Sequence, residues 1–185
     1  MTGTLVLIVG PSGAGKDSII AGARAALMGD SSFHFARRVI TRDASHEDHD
    51  TMSRAEFDAA ERKGGFIMSW RAHGVAYGVP ASVQDTRRAG TTVIANVSRL
   101  VVDEARAKLQ PVRVVLVTAP ADQLAARLTA RGREDEDDIV ARLRRADADL
   151  PSGPDVVVIH NEGPLSDAVL AFLEFLRSTR VGRAA

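Results

Sequence analysis

The 185-residue chain predicts an α/β fold, a parallel sheet covered on both faces by helices. Two observations carry the expectation. Short, almost wholly apolar runs alternate with helical segments, as strands buried on both faces require. The first of these runs, Leu5 to Val9, breaks into Gly10-Pro11-Ser12-Gly13-Ala14-Gly15-Lys16-Asp17-Ser18 and continues into a helix over Ile19 to Leu27. Strand, glycine-rich turn and helix is the context of a phosphate-binding P-loop. Small residues let successive backbone N–H groups curl around a phosphate, and the helix N-terminus then points its own N–H groups and dipole at the anion. Lys16 adds a mobile positive charge. The position after the lysine, where a Ser or Thr metal ligand is usual, holds Asp17, with Ser18 following. Either Asp17 and Ser18 together hold a magnesium ion, or Asp17 favours the first helical turn and Ser18 alone meets the phosphate or metal.

The remaining elements follow in order. A strand is expected over Phe35 to Ile40, and a polar loop over Asp43 to Asp50, whose His46 and His49 lack any spacing that would fix a metal geometry. Ser53 and Glu56 form a capping-box pattern opening a helix through Arg62, closed by Gly64-Gly65. Strand-like runs cover Phe66 to Arg71 and Val75 to Tyr77. Pro80 opens a helix that stops at Gly90. Strand Thr91 to Ala95 ends at Asn96-Val97-Ser98-Arg99, followed by helix Val101 to Leu109 and strand Val112 to Thr118. Helix Ala121 to Ala130, a charged break over 131–138, helix Ile139 to Leu150, strand Val156 to Ile159 and helix Leu165 to Leu176 complete the chain, with a frayed tail from Ser178.

Composition narrows the function classes. Acidic and basic residues balance at 24 each, so no global field collects nucleic acid or anionic membrane. Neither is expected as a partner. The basic residues are 21 arginines and three lysines, and the guanidinium fork suits phosphate. Cysteine is absent, which removes disulfides and thiolate metal sites. No signal segment or long apolar span is evident, so a soluble cytoplasmic protein is expected.

Two further groups of residues bear on chemistry. Arg127, Arg131, Arg133 and Arg142 surround the charged break. They form either a solvated helix paired with Glu134, Asp135 and Asp138, or a lid over about 131–146 that closes on a transferring phosphoryl group. Beside a P-loop the lid is the better account. Between the first helix and the middle strand lie Arg38, Thr41, Arg42, Trp70, His73, Tyr77 and Gly78, an insert of about 36–83 placed to hold the acceptor. The whole is expected as one domain over 1–185.

The P-loop, the Thr41-Arg42 and Tyr77-Gly78 elements, and Arg127-Leu128 to Arg131-Gly132 followed by Ile139 and Arg142-Leu143 resemble the guanylate kinase family over nearly the whole chain. The resemblance implies a P-loop nucleoside monophosphate kinase core with an acceptor-binding insert and a lid, using ATP and magnesium. Departures bear on the acceptor. Arg38 stands where guanylate kinases carry a guanine-reading serine, and Arg71 where they carry the guanine-reading acid. Val79-Pro80 lack the hydroxyls that follow Tyr-Gly, and Asn96 and Ser98 replace an acidic pair. Arginine for carboxylate reverses the hydrogen-bond polarity of a guanine pocket, and a buried unpaired donor costs roughly 1–3 kcal/mol. A second anionic group on the acceptor fits better than GMP.

Gly-Lys-Asp-Ser at 15–18, Arg38 to Ser45, Ser69-Trp70 to Gly78, Asn96 to Arg99 and Arg131 to Glu134 together are similar to the ribose 1,5-bisphosphate phosphokinase family of phosphonate catabolism. That family forms 5-phosphoribosyl 1-diphosphate from ATP and ribose 1,5-bisphosphate. The resemblance implies Lys16 with Arg131, Arg133 and Arg142 on the transferring phosphoryl group, and Gly10 to Ser18 with Arg127 and Asn161 around ATP, Asn161 bordering the adenine. It also implies Ser18 and Asp17 near magnesium, and Arg38, Thr41, Arg42, His73, Tyr77, Asn96, Ser98 and Arg99 around the sugar bisphosphate. A nucleoside monophosphate kinase with an altered base pocket and a non-catalytic binding module are the alternatives; the intact Gly15-Lys16 and the arginines oppose the latter. A homodimer is left open.

Overall fold

A computed structural model of the chain describes residues 1–42, 49–72, 74–130 and 150–179. Its elements are β1 (Leu5–Val9), α1 (Lys16–Ala26), β2 (Phe33–Phe35), β3 (Arg38–Ile40), β4 (His49–Thr51), α2 (Arg54–Arg62), β5 (Phe66–Ala72), β6 (Val75–Pro80), α3 (Val83–Arg88), β7 (Thr92–Asn96), α4 (Val102–Lys108) after a 3₁₀ turn at Arg99–Val101, β8 (Val112–Thr118), α5 (Ala121–Ala130), β9 (Val156–His160) and α6 (Leu165–Ser178). Five strands hydrogen-bond in the order β2-β7-β1-β8-β9, with β2–β7 and β8–β9 in parallel register. Strands β1 and β7 are buried at every residue, which is why both read as unbroken apolar runs. The chain forms two compact units: Met1–Leu7 with Asp30–Arg113, and Ile8–Gly29 with Val114–Ala185.

The first unit carries a second, four-stranded sheet in the order β4-β3-β6-β5, antiparallel at β3–β6 and β5–β6. It explains the main departures from expectation. The strand expected over Phe35 to Ile40 is two strands, because β2 pairs with β7 of the five-stranded sheet while β3 pairs with β4 and β6. The chain changes sheets between them, and the Ala36 N–H makes the last bond to the first sheet, donating to Ile94 O at 2.8 Å. The expected loop ends earlier than supposed. His49 is buried and opens β4, drawn in by pairing to Arg38. Pro80 ends β6 instead of opening a helix, and α3 starts at Val83 and stops as foreseen at Gly90, whose φ is 88°.

Helix α2 has the expected capping box: Ser53 N–H donates to Glu56 Oε2 at 2.9 Å and Glu56 N–H to Ser53 Oγ at 3.3 Å. Its buried Phe57 stacks on Phe66 with ring centroids 4.5 Å apart, in a core with Val39 and Ala76. Arg87 is fully buried and donates to the carbonyls of Gly3, Leu109 and Pro111 and to Gln84 Oε1 of its own helix, tying α3 to the N-terminal segment and to the turn before β8. Burial pushes its guanidinium pKa below the usual arginine value. In the second unit α6 packs on α1, with Ala168, Phe172, Leu173, Phe175 and Leu176 on its buried face. Among the described residues no helix is long and apolar enough to cross a membrane.

Candidate active site

The P-loop takes the shape that its glycines allow. Gly10, Gly13 and Gly15 have φ of 145°, 85° and 90°, values that residues with a Cβ adopt only under strain. Space adds a second constraint at two of them. A Cβ on Gly10 would land on the carbonyl oxygen of Val117, where β8 passes, and one on Gly15 would land on Asn161 Nδ2. Ala14 is fully buried, and Gly15 caps α1 with its carbonyl accepting from Ile19 N–H at 3.0 Å. Lys16 Nζ folds back on the loop, donating to Gly10 O at 2.7 Å and Pro11 O at 2.8 Å. Asp17 and Ser18, both exposed, stand in the first turn of α1.

A scaffold from the carboxyl ends of the neighbouring strands and from α5 holds this loop. Asn161, one residue past β9, is buried; its N–H donates to Thr118 O at 2.8 Å and its Nδ2 to Ala14 O at 2.8 Å. Arg127 donates from one terminal nitrogen to Gly13 O at 3.4 Å, and from the other to Asn161 O and Gln123 Oε1, both at 3.0 Å. Gln123 in turn donates to Glu162 O at 3.2 Å. A cavity of about 360 Å³ opens here, lined by Gly13, Gly15, Ser18, Arg127, Ala130, Asn161, Gly163 and Leu165. Thus the loop, Arg127 and Asn161 come together as a group. Gln123, Gly163 and Leu165 escaped sequence reading; the four-residue spacing of Gln123 to Arg127 on one helix was the available signal.

The acceptor candidates lie in the first unit. Thr41 spans the end of the β3–β6 pairing: its N–H donates to Ala76 O at 3.0 Å and its Oγ1 accepts from Ala76 N–H at 2.9 Å. Its hydroxyl oxygen thereby accepts from the sheet while its O–H remains a donor. Arg38 opens β3, half-buried, and Arg42 is exposed just past its end. Tyr77 stacks on the buried Trp70, centroids 5.3 Å apart and planes 3° from parallel, so Trp70 is a core residue and Tyr77 its half-exposed face. Asn96 is buried at the end of β7. Ser98 caps the following turn, its Oγ accepting from Leu100 N–H at 3.3 Å, and Arg99 begins that turn.

Arg71, read from sequence as a cation for a second anionic group, is engaged within its own unit. It donates to Glu61 Oε2 at 2.5 Å and to Asp58 Oδ1 at 3.2 Å, while Ser69 Oγ donates to Glu61 Oε1 at 2.5 Å. The Arg71 hydrogen bond, then that of Ser69, holds the Glu61 carboxyl below its ordinary value. His73, Arg131, Arg133, Arg142 and the lid over 131–146 lie outside the described residues, as does the acidic loop with His46.

No family model matches the chain. Individual proteins do. Ribose 1,5-bisphosphate phosphokinase PhnN of Brucella melitensis is 44% identical over 181 residues, 97% of this chain and 94% of that protein. The protein of the same name from Rhodopseudomonas palustris is 47% identical over 179 residues, 96% of this chain and 90% of its own length. The chain belongs to the ribose 1,5-bisphosphate phosphokinase family. It is also 46% identical to the bifunctional ribose 1,5-bisphosphokinase-thymidine phosphorylase of Cupriavidus necator, of whose length it spans only 31%. Among solved structures, a guanylate kinase from Anaplasma phagocytophilum superposes with a TM-score of 0.70 at 16% identity, covering 97% of this chain and 87% of that one. A ribose 1,5-bisphosphate phosphokinase family member thus has the guanylate kinase fold, as its sequence implied. An unliganded sugar kinase from Janibacter follows at a TM-score of 0.56 and 18% identity.

Proposed function

We propose that this chain transfers the γ-phosphoryl group of ATP to ribose 1,5-bisphosphate, releasing ADP and 5-phosphoribosyl 1-diphosphate. One observation carries the reading most directly: a chain related over its full length to ribose 1,5-bisphosphate phosphokinases keeps a complete P-loop, with Lys16 and three positive-φ glycines in place. An oxygen of the acceptor's 1-phosphate attacks the γ-phosphorus. The bond from that phosphorus to the β–γ bridging oxygen breaks, and ADP departs. A phosphate monoester is largely ionised at neutral pH, with a second pKa of about 6, so no general base is demanded. Catalysis is positioning and charge neutralisation.

The residues fit these tasks. A loop in which a Cβ at Gly10 or Gly15 would collide with Val117 O or Asn161 leaves its backbone N–H groups open to phosphate oxygens. Lys16 exchanges its two carbonyl acceptors for the transferring group, joined by Arg131, Arg133 and Arg142 of a lid over about 131–146. Arg127 and Asn161 line the cavity beside the loop, sized for part of a nucleotide. Magnesium, which neutralises charge on the β- and γ-phosphates, would be held by Ser18 with Asp17. Magnesium usually keeps several waters and is held by one or two side chains together with substrate phosphates, a pattern that Ser18 and Asp17 suit. Arg38, Arg42 and Arg99 take the sugar phosphates; His73, Tyr77, Asn96, Thr41 and Ser98 shape the sugar site, the last two through backbone they already hold. The working enzyme is a single kinase domain with its acceptor insert over about 36–83, acting in the cytoplasm on small molecules.

Coupled ADP release with Mg-ATP, and separately with ribose 1,5-bisphosphate, GMP or AMP, tests the proposal. Turnover confined to the sugar bisphosphate, with 5-phosphoribosyl 1-diphosphate as product, is expected. Preferred turnover of GMP would sink it.

A further inference from the structure

The peptide between Ala14 and Gly15 is where the loop and its scaffold meet. The cis bond among the described residues is Gln110–Pro111, so this peptide is trans, and its C=O and N–H point in opposite directions. The Ala14 carbonyl accepts the Asn161 Nδ2 hydrogen bond at 2.8 Å. The Gly15 N–H is therefore aimed away from Asn161, and among the described residues it has no hydrogen-bond partner of its own. The carboxamide could not sit the other way round, because its oxygen would then face a carbonyl oxygen.

Asn161 is itself immobilised. It is buried, its N–H is bound to Thr118 O at 2.8 Å, and its carbonyl accepts from Arg127 at 3.0 Å. It also lies so close to Gly15 that a Cβ there would overlap Nδ2. Arg127 reaches the preceding carbonyl, Gly13 O, at a longer 3.4 Å. A flipped Ala14–Gly15 peptide would turn a carbonyl oxygen, in place of an N–H, toward whatever anion the loop holds. Each such exchange swaps an attraction for a repulsion.

We propose that Asn161 is a positioning residue for the triphosphate: its side chain sets the orientation of the Ala14–Gly15 peptide so that the Gly15 N–H faces the bound phosphates. The role is exerted through the loop backbone and differs from contact with the base. It rests on the reading of Gly10 to Ser18 as the ATP phosphate site, and is indifferent to the identity of the acceptor.

Inorganic tripolyphosphate separates the two roles, since it has phosphates and no base. Asn161→Asp keeps the shape but places an acceptor against the Ala14 carbonyl. Calorimetric titration of this variant with tripolyphosphate, ATP and GTP, each with magnesium, should show all three weakened by a similar factor. About tenfold or more is expected from losing one N–H contact to a charged oxygen. The ATP to GTP preference stays as in the wild type, and KM for ATP rises by more than kcat falls. Loss of ATP binding with tripolyphosphate binding intact would overturn the proposal, and so would unchanged binding of all three. Should the variant not fold, the wild type still decides: the Gly15 amide resonance must move on adding tripolyphosphate, and a Gly15 amide that stays put refutes the role. Wild type that binds neither ATP nor tripolyphosphate overturns the phosphate site and this inference together. Turnover of GMP in place of ribose 1,5-bisphosphate would overturn only the acceptor assignment.

Discussion

Lys16→Met should separate the stability of the P-loop from its chemistry. The substitution keeps a long side chain and removes an ammonium that donates to Gly10 O at 2.7 Å and Pro11 O at 2.8 Å. Those bonds are charge-assisted, which in a dry setting would make each worth roughly 1.5–3 kcal/mol. Lys16 is only half-buried, however, and water competes for both partners. A net loss of about 1 kcal/mol is the reasonable expectation. For a chain of this size that lowers Tm by about 2–4 °C. The kinetic effect should be much larger. Removing one preorganised donor from developing negative charge costs about 10²–10³ in kcat, or roughly 2.7–4 kcal/mol. Thermal melts and coupled ADP release with ribose 1,5-bisphosphate measure the two quantities on the same preparation. Lys16→Arg refines the test, because it restores the charge but in a planar fork that cannot follow a moving phosphoryl group. It should melt near the wild type and remain slow. A Lys16→Met enzyme within a few-fold of wild-type kcat would refute the assigned role. A fall in Tm large enough to account for the lost activity would show instead that the lysine serves the loop fold alone.

Three other perturbations read different parts of the molecule. Arg87→Met should cost about 1–3 kcal/mol in denaturant unfolding, since it removes the fully buried guanidinium's bonds to Gly3 O, Leu109 O and Gln84 Oε1, while kcat of the folded fraction is unchanged; a loss under 1 kcal/mol would mean water replaces the guanidinium. Arg38→Gln should raise KM for ribose 1,5-bisphosphate by about tenfold, the cost of one charged contact, with KM for ATP untouched; equal effects on both would remove Arg38 from the acceptor site. Glu61 reports on acid stability. Its carboxyl is held below the ordinary 4.5, so as pH falls the unfolded chain takes up the proton first. The contribution is complete at neutral pH and is lost below about 4.5, as the pH passes through the folded value. Because Arg71 and Glu61 are partly exposed, it amounts to about 0.2–1 kcal/mol, and Glu61→Gln should flatten the stability profile in that window by this amount. An identical profile for variant and wild type would show the pair to be inert.

Much of this protein follows from local chemistry that a chain displays in its order of residues. The P-loop is legible because its parts are contiguous: an apolar strand, three glycines and a lysine within a dozen positions need no distant partner to be recognised. The capping box of Ser53 and Glu56 and the stop at Gly90 are equally local. The family, too, could be read from sequence, because the motifs that carry the resemblance, at 15–18, 38–45, 69–78, 96–99 and 131–134, are each short contiguous runs. What tertiary structure decided depends on pairing between remote segments. No periodicity in Phe35 to Ile40 says that the chain leaves one sheet for another there, since both halves are short and only the partners β7 and β6 distinguish them. His49 reads as a loop residue until pairing to Arg38 buries it. Arg71 looks like a cation for the acceptor until α2 brings Asp58 and Glu61 across to it. Asn161 stands 147 residues from the Ala14 carbonyl it holds. A hydrogen bond of that span leaves no local pattern in either segment, and only the folded sheet, which carries the end of β9 beside the loop, brings the two together.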